Sequence, residues 1–292
     1  MPTISEAIAE GARRLAEARI DEARRTAGVL LGHLLGVDRA YLIARSDEQI
    51  DDPTYQTYLA LIERRAAGEP LQYITGHQEF YGLDFLVTLD VLIPRPETEF
   101  LVERVITLAR EFREHSPLIV DVGTGSGCVA VAVAANVPRA RLIATDVSYA
   151  AVDIARRNAS QNGVEDRIQF LTGDLLTPLA ERGLEGAVDI LASNPPYVDE
   201  GKPELIQREV REWEPREALF GGADGLDFYR RLLENGVSYV KPGGHLIFEI
   251  GYSQLDSIKG LIEESRWKLV DVTRDLQGIP RTLTLQRPDE AA

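Results

Sequence analysis

Asn194-Pro195-Pro196-Tyr197 combines residue types that can hold a planar –NH2 group. It directly follows an apolar, strand-like run, Val188-Asp189-Ile190-Leu191-Ala192-Ser193. Two consecutive prolines lack N–H groups and have φ fixed at about −65°, so the chain must leave a sheet ladder here in a rigid, extended turn. The Asn194 side-chain oxygen and a free backbone carbonyl of the turn then make two acceptors for the hydrogens of an amide or an exocyclic amine. Asn-Pro and Pro-Pro are also ordinary turn punctuation, so the meaning of the tetrapeptide depends on what lies upstream.

Upstream lies a glycine loop, Asp121-Val122-Gly123-Thr124-Gly125-Ser126-Gly127, between a predicted strand and a predicted helix. Glycines there allow a tight turn and a close approach of the backbone to a ligand. Nineteen residues past Gly127, at the end of the next strand, stands Asp146. A carboxylate at that place can accept from both hydroxyls of a ribose, and it can equally open the helix that starts near Ser148. A dinucleotide loop spaces its glycines G-x-G-x-x-G to seat a pyrophosphate. Here the spacing is G-x-G-x-G after an acid, Asp121, which would repel a pyrophosphate and suits a cationic ligand. Spacing and charge together point to S-adenosylmethionine, with Gly123, Thr124, Gly125, Ser126, Gly127 and Asp146 as its binding residues. Asp174, after the third strand, stands where an adenine amino group is expected, although a loop aspartate that caps a turn reads the same way.

Asn194 reaches the same sheet edge on the fourth strand, since open α/β sheets bind ligands beyond the carboxyl ends of their strands. The inference is methyl transfer to a planar nitrogen, with Asn194 and Pro195 as the catalytic pair, Pro196 and Tyr197 completing the substrate site, and Asn194 also beside the cofactor. Such a nitrogen is a poor nucleophile because its lone pair is delocalised. The four histidines, at positions 33, 77, 115 and 245, lie away from the motif, so no base is evident. Catalysis would rest on orientation, which can lower a barrier by about 7–11 kcal/mol, and proton loss to water would come late. No metal is expected. Tyr197 reads equally as a pocket wall and as core packing.

The elements that must position these residues follow from periodicity. Residues 1–75 read as helices only: Ala27, Leu30, Leu31, Leu34 and Leu35 share one helix face, with Asp21 as the expected cap and Gly36 as the stop. A later helix is expected to open with Asp52 as cap and Pro53 in its first turn, and to bury Tyr55, Leu59 and Ile62. Residues 76–96, rich in aromatic and β-branched types, predict a β-hairpin linker with turns at Tyr81-Gly82 and Leu89-Asp90. From residue 97 to 292 strands and helices alternate, which predicts an α/β domain with a mainly parallel sheet and helices on both faces.

Composition sets the bounds. The chain has 292 residues, 44% hydrophobic and 27% charged, the profile of an ordinary globular protein long enough for two domains. No run approaches a membrane span, the N-terminal segment has no secretory pattern, and a single cysteine, Cys128, excludes an internal disulfide, so a cytoplasmic protein is expected. A net charge of −15 argues against a nucleic-acid partner and for a protein or small molecule.

The residues also carry a resemblance. Leu71-Gln72-Tyr73-Ile74-Thr75-Gly76, Phe80-Tyr81-Gly82, Val91 through Glu99, and Gly221 through Arg230, together with the glycine loop and Asn194-Pro195-Pro196-Tyr197, resemble the HemK (PrmC) family of protein glutamine N5-methyltransferases. The resemblance covers nearly the whole chain. It implies a class I S-adenosylmethionine-dependent, Rossmann-like catalytic domain over 97–292 and a helical domain over 1–75 that helps engage the substrate. It further implies methylation of the glutamine in the Gly-Gly-Gln motif of bacterial class I peptide chain release factors. Some relatives carry tryptophan beside the adenine where this chain has Leu175, so Leu175 is expected at the cofactor as an aliphatic wall. The alternatives are a glutamine of a large-subunit ribosomal protein and, less favoured, the adenine of DNA.

Overall fold

Thr3 opens the first helix with a reciprocal cap: its hydroxyl accepts from Glu6 N while Glu6 Oε2 accepts from Thr3 N at 2.8 Å. The computed structural model describes residues 1–289 and divides the chain into two compact units. The first comprises Met1–His77 with Ile206–Trp213, the second Gln78–Leu205 with the chain from Glu214 onward. The helices of the first unit are α1 (Ile4–Glu17), α2 (Ala23–Leu35), α3 (Arg39–Ala44), α4 (Asp52–Ala66) and α5 (Leu71–Thr75). Two expected caps shift. Glu22, at φ 49°, precedes α2 without a side-chain cap, and this left-handed turn separates Asp21 from the first helical turn. Asp51, not Asp52, caps α4 by accepting from Thr54 N at 2.9 Å, which puts Asp52 and Pro53 inside the first turn. Gly36 ends α2 with φ 65°, as its position predicts. The core of this unit is Leu15, Leu30, Leu31, Tyr58 and Ile62, with Leu34, Leu35, Tyr55 and Leu59 only partly buried around it.

The second unit begins with a hairpin of β1 (His77–Phe80) and β2 (Leu83–Leu86). Tyr81 and Gly82 both have positive φ, 52° and 74°, the twist a two-residue hairpin needs. Then follow α6 (Thr98–Glu111), β3 (Leu118–Val122), α7 (Cys128–Asn136), β4 (Arg141–Asp146), α8 (Tyr149–Gln161), β5 (Ile168–Thr172), α9 (Thr177–Ala180) and β6 (Val188–Ser193). After α10 (Arg208–Trp213), which clusters with the first unit, come α11 (Asp227–Tyr239), β7 (Val240–Glu249), α12 (Leu255–Lys259), β8 (Lys268–Arg274) and β9 (Pro280–Gln286). Seven strands form one sheet in the order β5-β4-β3-β6-β7-β9-β8. The first five strands of that order pair in parallel, and β9 runs antiparallel to both β7 and β8. Apolar clusters lie on both faces of the sheet. One joins α6, α7 and α8 to β3 and β4; the other joins α11 and α12 to β6, β7 and β9.

The strand order reverses beside β3, since β4 lies on one side of it and β6 on the other. That reversal opens a crevice at the carboxyl ends of β3 and β6. Register brings the two ends level, with Val122 opposite Ser193, and the Ser193 hydroxyl donates to the Val122 carbonyl at 2.7 Å. Gly123 and Asn194 therefore leave adjacent strands side by side.

Gly11 of α1 tests the packing of the helical unit. Alanine is the better helix former by about 1 kcal/mol. A Cβ on Gly11, however, would lie 2.2 Å from the Tyr58 hydroxyl and 2.9 Å from Ile62 Cδ1. Tyr58 is fully buried and its hydroxyl donates to Ala27 O at 3.2 Å, so it has no room to withdraw. Overpacking should win: Gly11→Ala is expected to lower stability by about 1–3 kcal/mol in denaturant melts, and unchanged or raised stability would contradict this packing.

Candidate active site

Each strand end delivers one part of the site. The loop after β3 turns through Gly123 and Gly125 with φ of 73° and 54°, and a Cβ at either would project into open space. Gly127, at φ 82°, has a different task. A Cβ there would lie 3.0 Å from Ala155 Cβ, so its glycine lets α7 approach α8 closely.

The loop's own donors are already engaged. Gly123 N and Thr124 N donate to Thr145 O at 2.8 and 2.9 Å, Gly127 N to Thr124 O at 2.8 Å, and Gly125 N to Asp146 Oδ2 at 2.9 Å. Asp121 Oδ2 accepts from the Thr124 hydroxyl at 2.6 Å and from Ala130 N, in the first turn of α7, at 3.2 Å. A protein carboxylate thus occupies the helix end where a phosphate would otherwise bind. Asp121 therefore has a second task beside the expected one: it is 1% exposed and hydrogen-bonds the loop itself, and it also lines the cavity that the loop borders.

Loop, acids and turn meet around one cavity of about 650 Å³, the size of a small-molecule site. Gly123, Thr124, Gly125, Ser126, Asp146, Asp174, Leu175, Asn194, Pro195 and Pro196 all line it; Gly127 and Tyr197 do not. Asp146 Oδ1 also accepts from Ser148 N at 2.9 Å, so the ribose and helix-opening readings of this residue are spatially compatible. Asp174 is exposed and paired with Arg231 of α11, itself a lining residue. Leu175 sits at the rim with φ 46°, a left-handed conformation unusual for a branched side chain, while its carbonyl accepts from the Thr145 hydroxyl at 3.2 Å. No histidine lines this cavity, and among the described residues no group of three His, Cys, Asp or Glu is placed to hold a metal ion.

At the turn after β6, Pro195 is buried. Its carbonyl and Asn194 Oδ1 accept no hydrogen bond from the described residues. Asn194 Nδ2 donates to Thr98 Oγ1 at 3.2 Å, and the Thr98 hydroxyl donates to Glu249 Oε2 at 2.6 Å. Tyr197 turns from the cavity into the core, its hydroxyl 3.4 Å from Glu249 Oε1. The signature glycines press on the same turn: a Cβ on Gly221 would lie 2.5 Å from Pro196 O, and one on Gly225 2.4 Å from Tyr197 O. Arg95, a cavity residue, pairs with the buried Glu214, Glu97 pairs with Arg281 at 3.4 Å, and Glu99 accepts from Tyr81 N at 2.9 Å. These three signature side chains thus tie segments of the unit together. Thr98 and Glu249 were missing from the expected site. The signal for Glu249 was an acid inside the apolar run Leu246-Ile247-Phe248-Glu249-Ile250.

Two buried carboxyls, Asp121 and Glu249, and the half-buried Asp146 surround this arrangement. Burial pushes Asp121 up to about 6 and Glu249 up to about 7, and it also raises Asp146. A carboxyl whose pKa is higher in the folded chain binds its proton more tightly there. Stability from Glu249 is therefore gained as pH falls from about 7 toward its ordinary 4.5 and lost as pH rises through that window. Glu249→Gln should remove this slope and stabilise the protein at pH 8 by about 3 kcal/mol, with little gain at pH 4. Denaturant melts at both pH values check it; an equal effect at each would contradict the assignment.

Residues 6–76 match the PrmC N-terminal domain and residues 97–213 the methyltransferase small domain. The chain is 42% identical to the release factor glutamine methyltransferase of Koribacter versatilis over 98% of its own length and 99% of the relative's. It is likewise 42% identical to that of Moorella thermoacetica, over 99% and 100% of the two chains. A methyltransferase structure from Pyrococcus furiosus shares the fold, with a TM-score of 0.52 at 19% identity, covering 80% of this chain and 99% of that one. The chain belongs to the release factor glutamine methyltransferase family.

Proposed function

We propose that this protein transfers a methyl group from S-adenosylmethionine to the side-chain amide nitrogen (N5) of the glutamine in the Gly-Gly-Gln motif of class I peptide chain release factors. The observation that carries this reading is the pair of unengaged acceptors, Asn194 Oδ1 and the Pro195 carbonyl, at the rim of a cavity that also holds the glycine loop. Two acceptors match the two hydrogens of a primary amide. The full-length similarity to release factor glutamine methyltransferases supports the choice of substrate. Membership of that family also supports a cytoplasmic location, where release factors act. No described helix is long and apolar enough to cross a membrane.

The cavity suits the proposed cofactor. Four of the five loop amides are committed internally, and a carboxylate caps α7, so the site offers a pyrophosphate little. Raised carboxyls around it favour a cation, which would relieve their mutual and desolvation costs. Asp146 would accept from the ribose hydroxyls, Asp174 and Leu175 would lie at the base, and the open faces of Gly123 and Gly125 would admit the body of the ligand. When bound, S-adenosylmethionine supplies the methyl as an electrophile.

An amide nitrogen attacks poorly because its lone pair is shared with the carbonyl. Asn194 and Pro195 would hold both N–H bonds in one direction and aim the lone pair into the cavity. As the nitrogen gains positive charge its hydrogens become stronger donors, so the two acceptors stabilise the transition state more than the ground state. The surplus proton is then lost to water. We assign substrate engagement to the helical unit and chemistry to the α/β unit.

Asn194→Ala should lower the methylation rate about a hundredfold or more while cofactor affinity is retained, and Asp146→Ala should do the reverse, weakening cofactor binding about tenfold or more. Rate assays with calorimetric titration of the cofactor separate the two. Mass spectrometry of a class I release factor after reaction should locate the methyl on the Gly-Gly-Gln glutamine. Label appearing only in a large-subunit ribosomal protein would overturn the substrate assignment, and an unchanged Asn194→Ala rate would sink the clamp.

A further inference from the structure

We propose that Glu249, acting through Thr98, is a positioning residue that fixes Asn194 with its oxygen toward the substrate amide and strengthens that oxygen as an acceptor during methyl transfer. The inference rests on the reading of Asn194 as the residue that grips the amide.

An asparagine side chain can present either its oxygen or its NH2 to a cavity, and only the first grips an amide hydrogen. Here the neighbours decide. Thr98, at the first position of α6, is 2% exposed and has one hydroxyl proton, which it gives to Glu249 Oε2 at 2.6 Å. Its oxygen is then free only to accept, and Asn194 Nδ2 lies 3.2 Å away. Nδ2 must therefore face Thr98, which leaves Oδ1 for the cavity. Register makes the contact possible: Phe248 lies opposite Ser193, so Glu249 and Asn194 are neighbours at the ends of β7 and β6.

The chain of bonds also has a polarity. A negative charge on Glu249 draws the Thr98 proton, raises electron density on the threonine oxygen, and through the Nδ2 bond does the same for Asn194 Oδ1. The effect grows as the substrate nitrogen becomes positive, so it acts on the rate more than on binding. If Glu249 takes up a proton, it can donate to Thr98, whose hydroxyl can then donate to Asn194 and turn the wrong amide edge to the substrate. The titratable and charged groups around Glu249 are Glu97 before α6, Arg281 of β9, Tyr197 after β6, Tyr229 of α11 and Cys128 of α7. Glu97 and Arg281 oppose one another in effect and pair at 3.4 Å. Tyr229 donates to the Glu249 main-chain carbonyl at 3.0 Å and leaves the carboxylate to Thr98 and Tyr197.

The test uses the full chain, a class I release factor and saturating S-adenosylmethionine in single-turnover assays. At pH 8, Thr98→Val and Glu249→Gln should each slow methyl transfer about tenfold or more, with KM for the release factor and cofactor affinity within about twofold of wild type. Thr98→Ser should return the rate to within about threefold, and the Thr98→Val/Glu249→Gln double variant should be no slower than the slower single variant, because both cut one chain. The wild-type rate should fall as pH drops through about 7, and Glu249→Gln should flatten that limb. A wild-type rate in either single variant, or a double variant as slow as the product of the two, overturns the proposal. Should Thr98→Val fail to bind cofactor, the Thr98→Ser rate and the Glu249→Gln pH profile decide. Asn194→Ala run alongside separates the two levels: if it is slow while Thr98→Val is not, only this inference fails, and if it is itself unchanged the clamp fails with it.

Discussion

Because proline carries no N–H, the ladder that β6 shares with β3 and β7 has to stop where Pro195 and Pro196 begin, and it stops at Ser193. The strand ends that line the cavity are arranged around that stop. Val122 lies opposite Ser193, so the glycine loop begins level with Asn194, and Phe248 lies opposite Ser193 on the other side, so Glu249 ends level with it too. Asp146 and Thr172 close β4 and β5 opposite one another on the same edge, and Asp146 and Asp174 line one cavity. A one-residue slip in β6 would move Asn194 out of this row and bring its side chain to the other face of the sheet.

The electrostatics of the edge follow from burial. Asp121, Asp146 and Glu249 are carboxyls brought out of water together, each held by hydrogen bonds and each raised above its ordinary range by desolvation. Such an arrangement costs stability in the empty protein, and the structure leaves it in place at the site where a cationic ligand is proposed to bind. The backbone amides that could have attracted an anion are turned inward onto Thr145 O and Asp146. Charge preference is thus built from what the loop withholds as much as from what it presents.

Much of this was legible in the residues because the informative features are local. Glycine spacing, Pro-Pro after an apolar run and an acid at a strand end each have a direct backbone consequence, and the alternation of strands and helices after residue 97 is what the mainly parallel sheet requires. What the sequence did not yield depends on long-range register. Thr98 and Glu249 are 151 positions apart and meet only because α6 starts beside the end of β7. Asp121 reads from sequence as a cavity acid, and it lines the cavity, but its bonds to the Thr124 hydroxyl and Ala130 N, which brace the loop, were not legible there. Gly127 belongs to the same motif as Gly123 but serves helix packing, a distinction that only the position of Ala155 reveals. Tyr197 read equally as wall and as core, and it packs, partly buried, against the core cluster.

Asn194 Oδ1 and the Pro195 carbonyl are proposed to grip one primary amide between them. A crystal structure of the full chain with S-adenosylhomocysteine and a class I release factor would show that grip. The glutamine nitrogen is expected at about 3 Å from both oxygens, with Asn194 Nδ2 still on Thr98. A glutamine nitrogen bonded elsewhere, or an Asn194 that turns its NH2 toward the cavity, would contradict it.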